Sequence, residues 1–270
     1  MRYGSAPDRR ARILESVVSE GFCSVGELAS SLDVSEMTVR RDIARLEQEG
    51  RLRRVHGGIT TLPREALSPS AFGDRAADMR MPKQWIAQEA SRLLEYGATV
   101  GLDAGTTTYE IALILPELLN LTVATHSLPA LNAFVSRKGV RVIGLGGQLQ
   151  PVTQDFVGLA TEAAIAELNL SILFLAGRGI TDRGLFCGND HEALVKRKLL
   201  EVADRVVLVA DSSKFRSAAM VRVCPLDDID CMVTDDGIQD EDASMLAAHG
   251  VELIVAPRIV MLDQAEGELA

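Results

Sequence analysis

Paired cysteines and long apolar runs are both lacking in this chain of 270 residues, and each lack removes a class of protein. The four cysteines, Cys23, Cys187, Cys224 and Cys231, contain no C-x-x-C pair. No disulfide framework is expected from them, and they read as small buried residues. Cys187 and His191 have metal-ligand spacing, but no second pair follows to complete a four-coordinate site. No metal and no cofactor are therefore expected. Nothing approaches the ~18 consecutive apolar residues of a membrane helix. The longest candidate, around Ile111 to Ala124, is broken by Pro116, Glu117 and Asn120. No membrane partner is expected. The opening MRYGSAPDRRAR has charges with no apolar block behind them, which predicts no secretory signal and a cytoplasmic protein. Neither G-x-x-x-x-G-K-[ST] nor G-x-G-x-x-G occurs, which disfavours a nucleotide ligand.

What is present is the balance of a folded protein, 47% apolar and 24% charged, with a formal net charge of −10. That charge argues against a protein that coats nucleic acid, but it is unevenly spread. Residues 1–60 carry ten Lys plus Arg against nine Asp plus Glu, whereas residues 61–270 carry eighteen against twenty-nine. The basic residues Arg40, Arg41, Arg45, Arg51, Arg53 and Arg54 crowd one short segment, as a phosphate-binding face requires.

Within the first sixty residues, Ile13, Leu14, Val17 and Val18 recur at helical spacing over Asp8 to Glu20. Ser24-Val-Gly-Glu27 is a capping box for a second, short helix. Ser35 caps a third helix running to about Glu49, with Gly50 as its stop. On that helix Val39, Ile43 and Leu46 share an inward sector. Met37, Arg41, Ala44, Arg45 and Gln48 then project outward, flanked by Thr38 and Arg40. An outward Arg/Gln face on a helix suits a major groove, although arginine-rich faces are also ordinary solvated surface. The sequel, Arg51-Leu-Arg-Arg-Val-His-Gly-Gly-Ile-Thr60, reads as a two-stranded wing turning at Gly57-Gly58. Candidate DNA contacts are Ser35, Met37, Thr38, Arg40, Arg41, Arg45, Arg54 and His56.

Residues 61–82 hold Pro63, Pro69 and Pro82 with Ser68 and Ser70, and read as a linker. From Gln84, helical patterns alternate with near-continuous apolar runs at Ala98–Leu102, Leu121–Thr125, Val140–Leu145, Ile172–Ala176, Arg205–Ala210, Met232–Thr234 and Val251–Val255. Such runs predict a parallel sheet covered on both faces by helices, a doubly wound α/β domain over 83–256, with 257–270 as a tail. Ligands of such sheets sit beyond the carboxyl ends of the strands. There the chain places Asp103, Gly105, Thr106, Thr107 and Thr108; His126 and Ser127; Gly146 and Gly147; Arg178; and Asp211 with Lys214. A Gly/Thr turn opening a helix suits a phosphate, and Lys214 and Arg178 supply cations, though singly each also reads as a cap or a surface residue.

Ser35-Glu-Met-Thr-Val-Arg-Arg-Asp-Ile-Ala-Arg-Leu-Glu47, followed by Gly50 and Val55-His-Gly-Gly58, resembles the helix-turn-helix signature of DeoR-type bacterial transcription regulators. Asp103–Thr108, Ser127-Leu-Pro129, Gly146-Gly147, Gly184-Leu185, Glu192-Ala193, Val195-Lys-Arg197 and Asp211-Ser-Ser-Lys-Phe215 resemble the recurring motifs of that family's effector domain. The resemblance covers roughly residues 8–255. It implies a winged helix-turn-helix over 1–60, then a sugar-phosphate-sensing domain similar in fold to ribose-5-phosphate isomerase. The Gly/Thr loop would hold the phosphate while Lys214 faces the sugar. His126, Arg178 and Phe186-Cys187 depart from the family pattern at the mouth of that pocket.

The expected function is a repressor of a carbohydrate operon that binds operator DNA as at least a dimer and responds to a phosphorylated sugar. An active isomerase is the first alternative. It needs a carboxylate base, and Leu175-Ala-Gly-Arg-Gly-Ile180 contains none, with Asp190, Glu192, His126 and His191 as the nearby candidates. A DNA-binding protein whose large domain only oligomerises is the second. No enzyme activity is expected.

Overall fold

The computed structural model describes residues 6–20, 22–48, 52–55, 58–60, 70–217 and 219–258. They fall into two compact units, Met1–Ala71 and Phe72–Ala270.

The first unit runs α1 (Ala6–Glu20), β1 (Phe22–Ser24), α2 (Val25–Ser31), α3 (Glu36–Gln48), β2 (Arg53–Val55) and β3 (Gly58–Thr60). The capping box forms as the sequence predicts: Glu27 N donates to Ser24 Oγ at 3.2 Å, and Ser24 N donates to Glu27 Oε2 at 3.0 Å. Ser35 opens α3, its Oγ accepting from Thr38 N at 3.3 Å. Ile13, Val17, Leu28, Val39, Ile43 and Leu46 close the core together with Leu52 and Ile59 from the wing. The wing gains a strand that the sequence did not announce, since β1 pairs with β3 in the sheet order β1-β3-β2. Three residues of Phe-Cys-Ser are too short for a period to show. Gly50, His56 and Gly57 lie outside the described residues.

The second unit contains α4 (Ser70–Ala77) from Phe72 onward, α5 (Arg80–Ser91), β4 (Thr99–Leu102), α6 (Thr106–Ile114), β5 (Leu121–Thr125), α7 (Leu128–Phe134) and β6 (Val140–Gly144). It continues through β7 (Gln148–Gln150), β8 (Asp155–Val157), α8 (Leu159–Ala166), β9 (Ile172–Leu175), β10 (Gly179–Thr181), β11 (Gly184–Cys187) and α9 (Asp190–Glu201). The last elements are β12 (Val206–Val209), β13 (Val221–Cys224), β14 (Cys231–Asp235), α10 (Asp240–Ala248) and β15 (Glu252–Ala256). Seven parallel strands form one sheet in the order β15-β14-β12-β9-β4-β5-β6. Successive strand residues feed opposite faces. Ile172, Phe174, Val207 and Val209 pack with Ile86, Ala90 and Ile111, whereas Leu173, Leu175, Val206 and Leu208 pack with Ile165, Val195 and Leu199. Two buried faces explain why the strands read as unbroken apolar runs. The chain lays β4, β5 and β6 toward one edge and then β9, β12, β14 and β15 toward the other, so the winding reverses between β4 and β9. Among the described residues, no helix is long and apolar enough to cross a membrane.

The expected linker over 61–82 is corrected in part. Residues 61–69 lie outside the described residues, but α4 and α5 occupy Ser70–Ala77 and Arg80–Ser91. Pro82 misled because it is the third residue of α5, where its missing N–H would be unpaired anyway.

Asp42 is a buried charge on the inward side of α3, 6% exposed, and Arg9 Nε of α1 donates to its Oδ2 at 2.5 Å. Removing one member leaves the other uncompensated in the core. Arg9→Ala should destabilise the first unit by about 3 kcal/mol, read as a lowered urea midpoint. An unchanged midpoint would show that the pair contributes nothing to holding α3 on α1.

Candidate functional site

Two sites emerge, one on each unit. On the first, Met37, Arg40, Arg41 and Arg45 are exposed on α3 beside the half-buried Thr38 and opposite the buried Val39, Ile43 and Leu46. Met37 is 76% exposed on this face. Ser35 Oγ lies 3.0 Å from Thr38 Oγ1, and Arg40 pairs with Glu36 at 3.3 Å. The first contact lies at the start of the helix, and the second joins two exposed side chains one turn apart. Arg54 sits on β2, and His56 falls outside the described residues.

On the second unit, a pocket opens where the sheet winding reverses. Its wall takes Gly105, Thr106 and Thr107 from the start of α6, Arg178 from the end of β9, and Lys214 from the turn after β12. Gly105 has a steric reason to be glycine: a Cβ there would come within 2.6 Å of the Ala176 Cβ. The loops after β4 and β9 thus touch, and the amides at the α6 N-terminus face the pocket as an anion cradle. Thr108 turns inward, its Oγ1 donating to Gly105 O at 3.0 Å, and so shapes the cradle without lining it.

Several expected pocket residues have other work. Asp103 is fully buried, and its Oδ2 accepts both from Lys196 Nζ and, at 2.8 Å, from Ala176 N. His126 lies behind the pocket, its Nε2 3.6 Å from Asp103 Oδ1 and 4.0 Å from Asp155 Oδ2. Burial drives its pKa down to about 4 against the pull of Asp103, so the imidazole is neutral. Ser127 caps α7 through Ala130 N at 3.4 Å. Gly146 and Gly147, expected as ligand contacts, do not line this pocket; Gly147 is a packing position, whereas Gly146 is exposed with open space where a Cβ would stand. Thr161 Oγ1 donates to Gly146 O at 2.9 Å, and a Cβ on Gly147 would come within 2.1 Å of that hydroxyl. Asp211 is buried beneath Lys214, its Oδ2 3.2 Å from the ammonium and its Oδ1 accepting from Ser213.

The pocket also recruits residues that were not expected effector contacts. Lys196 is buried and bridges Asp103 to Ala176 O at 3.0 Å. Burial would lower its pKa, but Asp103 and then Glu192 override this and hold the ammonium above its ordinary value. Lys83, 2% exposed, donates to Arg75 O and Asp78 O at 2.5 Å each, satisfying carbonyls at the end of α4. Burial pushes its pKa down. Arg75, Asp78, Thr153, Asp155, Cys187 and Glu192 complete the wall. Asp155 accepts from Thr153 Oγ1 at 2.5 Å, yet burial carries its pKa up to about 6, with Glu192 adding to the rise. Carboxylates therefore reach the pocket from β8 and α9, although the loop after β9 has none. Glu192 is held by Gly188 N at 3.2 Å. Cys187 remains a thiol, its pKa raised to about 11 by burial. A larger cleft of about 720 Å³ lies at the opposite edge, around Val206 and Asp230 at the starts of β12 and β14, and lacks any helix N-terminus on its wall.

Comparison with known proteins joins the two sites. The chain matches the DeoR-like helix-turn-helix domain over residues 9–64 and the DeoR C terminal sensor domain over residues 80–236. The chain belongs to the DeoR family. The HTH-type transcriptional regulator IolR of Bacillus subtilis (strain 168) is 33% identical, with 90% of this chain and 96% of that protein aligned. The transcriptional repressor AccR of Agrobacterium fabrum is 34% identical over 88% and 92%, and the L-fucose operon activator of Haemophilus influenzae is 32% identical over 90% and 97%. This DeoR-family chain is thus a transcriptional regulator and not an enzyme. A solved ribose 5-phosphate isomerase from Methanocaldococcus jannaschii is 18% identical, with a TM-score of 0.36 over 49% of this chain and 52% of that one, a partial likeness that transfers no activity.

The two shifted groups behind the pocket have opposite consequences for stability. Asp155, raised from 3.8 to about 6, contributes stability fully below pH 3.8 and loses it as pH rises through 6. His126, lowered from 6.5 to about 4, contributes above pH 6.5 and loses that as pH falls through 4. Asp155→Asn should therefore gain on the native protein by on the order of 3 kcal/mol between pH 4 and 6.5, measured by urea unfolding at each pH. A difference independent of pH would mean that Asp155 is not buried as an acid.

Proposed function

We propose that this protein is a repressor of a carbohydrate-metabolism operon which binds its operator as at least a dimer and lets go when a phosphorylated sugar, or a derivative of one, fills the pocket. The first unit, through residue 60 of the wing, is the DNA-binding domain, and the α/β unit through Ala256 is the effector and assembly domain. The observation that carries the reading is the cradle at the sheet's reversal point, where the α6 N-terminus, Lys83 and Lys214 line one pocket. An assembly domain has no use for that arrangement, whereas a phosphate ester does. On α3, Arg41 and Arg45 are the side chains placed to read base edges or phosphates, with Met37, Thr38 and Arg40 beside them. A helix-turn-helix reads one half-site, which is why a dimer is required.

Release of DNA by ligand requires the ligand to favour the state that binds DNA poorly, and a hundredfold loss of operator affinity corresponds to ~2.7 kcal/mol of coupling. Gel-shift titrations across salt test both halves. Arg41→Ala should weaken specific binding by ~1–3 kcal/mol if it reads a base, or lower the salt slope by about one if it meets a phosphate. Lys214→Ala and Thr107→Ala should abolish release by effector. Unaltered DNA binding in the Arg41 variant would remove α3 from the interface. Loss of DNA binding with retained ligand response in either pocket variant would overturn the pocket assignment.

A further inference from the structure

α4 has little to hold it in place. From Phe72 to Asp78 only Phe72 is buried, its ring meeting that of Tyr109 on α6 edge-on with 5.7 Å between centroids. Gly73, Asp74, Ala77 and Asp78 are exposed, and nothing stands within 4 Å of the place where a Gly73 Cβ would be. A short, exposed helix with a glycine inside it opens at low cost.

The far end of α4 is held by one side chain. Met79 takes the left-handed conformation, φ 51°, and turns the chain from α4 into α5. Carbonyls at the end of a helix lack partners in the helical ladder, and a cation there is favoured by the helix dipole. Lys83, the fourth residue of α5, supplies both needs: its Nζ donates to Arg75 O and to Asp78 O at 2.5 Å each. The cap of α4 therefore comes from the next helix.

Lys83 also lines the effector pocket, together with Arg75, Asp78 and the α6 N-terminus. An ammonium has three N–H groups. Two go to α4, and the third has no acceptor among the described residues. Burial weighs most against the charge, and Asp211 is the first group to offset that, without a hydrogen bond to it. A phosphate at the α6 N-terminus would bring a second anion and the missing acceptor. The other lysines of the wall are turned elsewhere, Lys214 to Asp211 and Ser213, and Lys196 to Asp103 and Ala176 O.

We propose that Lys83 is a positioning residue which couples the pocket to α4: the phosphate of a bound effector takes its third N–H, and the ammonium so anchored holds the end of α4 more firmly. This rests on the sugar-phosphate reading above and gives the filled pocket a route to the rest of the chain. α4 is the first helix along the chain after the wing, with residues 61–69 between them. Filling the pocket thus changes how firmly that helix is set.

Hydrogen–deuterium exchange of the full-length protein tests this, with inorganic phosphate as the probe and chloride at equal ionic strength as the control. Exchange at the start of α6 reports whether phosphate occupies the cradle, and exchange over Phe72–Asp78 reports whether α4 responds. In the native protein phosphate should slow both, α4 by about tenfold, which is ~1.4 kcal/mol. Lys83→Met should bind phosphate more weakly, so the comparison is made at saturation, where the start of α6 is slowed and α4 is not. Lys83→Gln, too short to reach both carbonyls, should behave in the same way and carries the test if the first variant does not fold. Protection of the α6 start without protection of α4 in the native protein would overturn the coupling alone, as would protection of α4 that survives both substitutions. No protection at either place in the native protein would overturn the sugar-phosphate reading and the coupling with it.

Discussion

Asp103 and Lys196 meet with almost no water around them, and the pocket is built upon that pair. Taking either charge out of water costs several kcal/mol, and mutual attraction offsets this only where every remaining donor and acceptor is engaged. Much of that condition is met. The carboxylate also accepts from Ala176 N, and the ammonium also donates to Ala176 O, so one residue at the end of β9 receives both partners. The end of β4, the end of β9 and the middle of α9 are thereby pinned to one another. Gly105 can then lie against Ala176, and the first turn of α6 is fixed with its amides open to the pocket. The neutral imidazole of His126 follows from the same dry environment, as does the raised carboxyl of Asp155.

The DNA-binding unit uses a similar device on a smaller scale. Asp42 occupies a buried position on α3, and Arg9 reaches it from α1. A paired charge is a weaker source of stability than apolar packing but a stronger constraint on direction. Here it ties the inward side of α3, where Val39, Ile43 and Leu46 also pack, to α1, opposite the exposed Arg41 and Arg45.

The sheet was legible because both of its faces are buried: runs such as Ile172–Leu175 and Val206–Val209 have no polar alternation to confuse them. The helix-turn-helix was legible because its signals are local, namely a capping box at Ser24, a cap at Ser35 and a three-residue apolar sector on α3. Five expected pocket residues do line the wall: Gly105, Thr106, Thr107, Arg178 and Lys214. The misses are of two kinds. Gly146 and Gly147 have the composition of a ligand loop, but only the folded chain shows that the missing side chain of Gly147 makes room for Thr161 and β8. Lys83 and Asp155 sit within a helix and a strand, where nothing nearby in sequence marks them, and Lys196 lies inside the motif Val195-Lys-Arg197, which assigns it no role. A lysine one position before Arg197 reads as surface, and its burial depends on a carboxylate 93 residues away.

The pocket wall runs from Arg75 to Lys214 in sequence and draws on α4, α5, α6, β8, the loop after β9, β11, α9 and the turn after β12. No fragment of the domain assembles it, so any molecule that fills it binds the folded chain and not the unfolded one. A ligand at a hundred times its dissociation constant then adds ~2.7 kcal/mol to the folding equilibrium, a large share of the ~5–15 kcal/mol that a domain possesses. On the reading proposed above, the molecule that releases the operator also protects its own sensor from proteolysis.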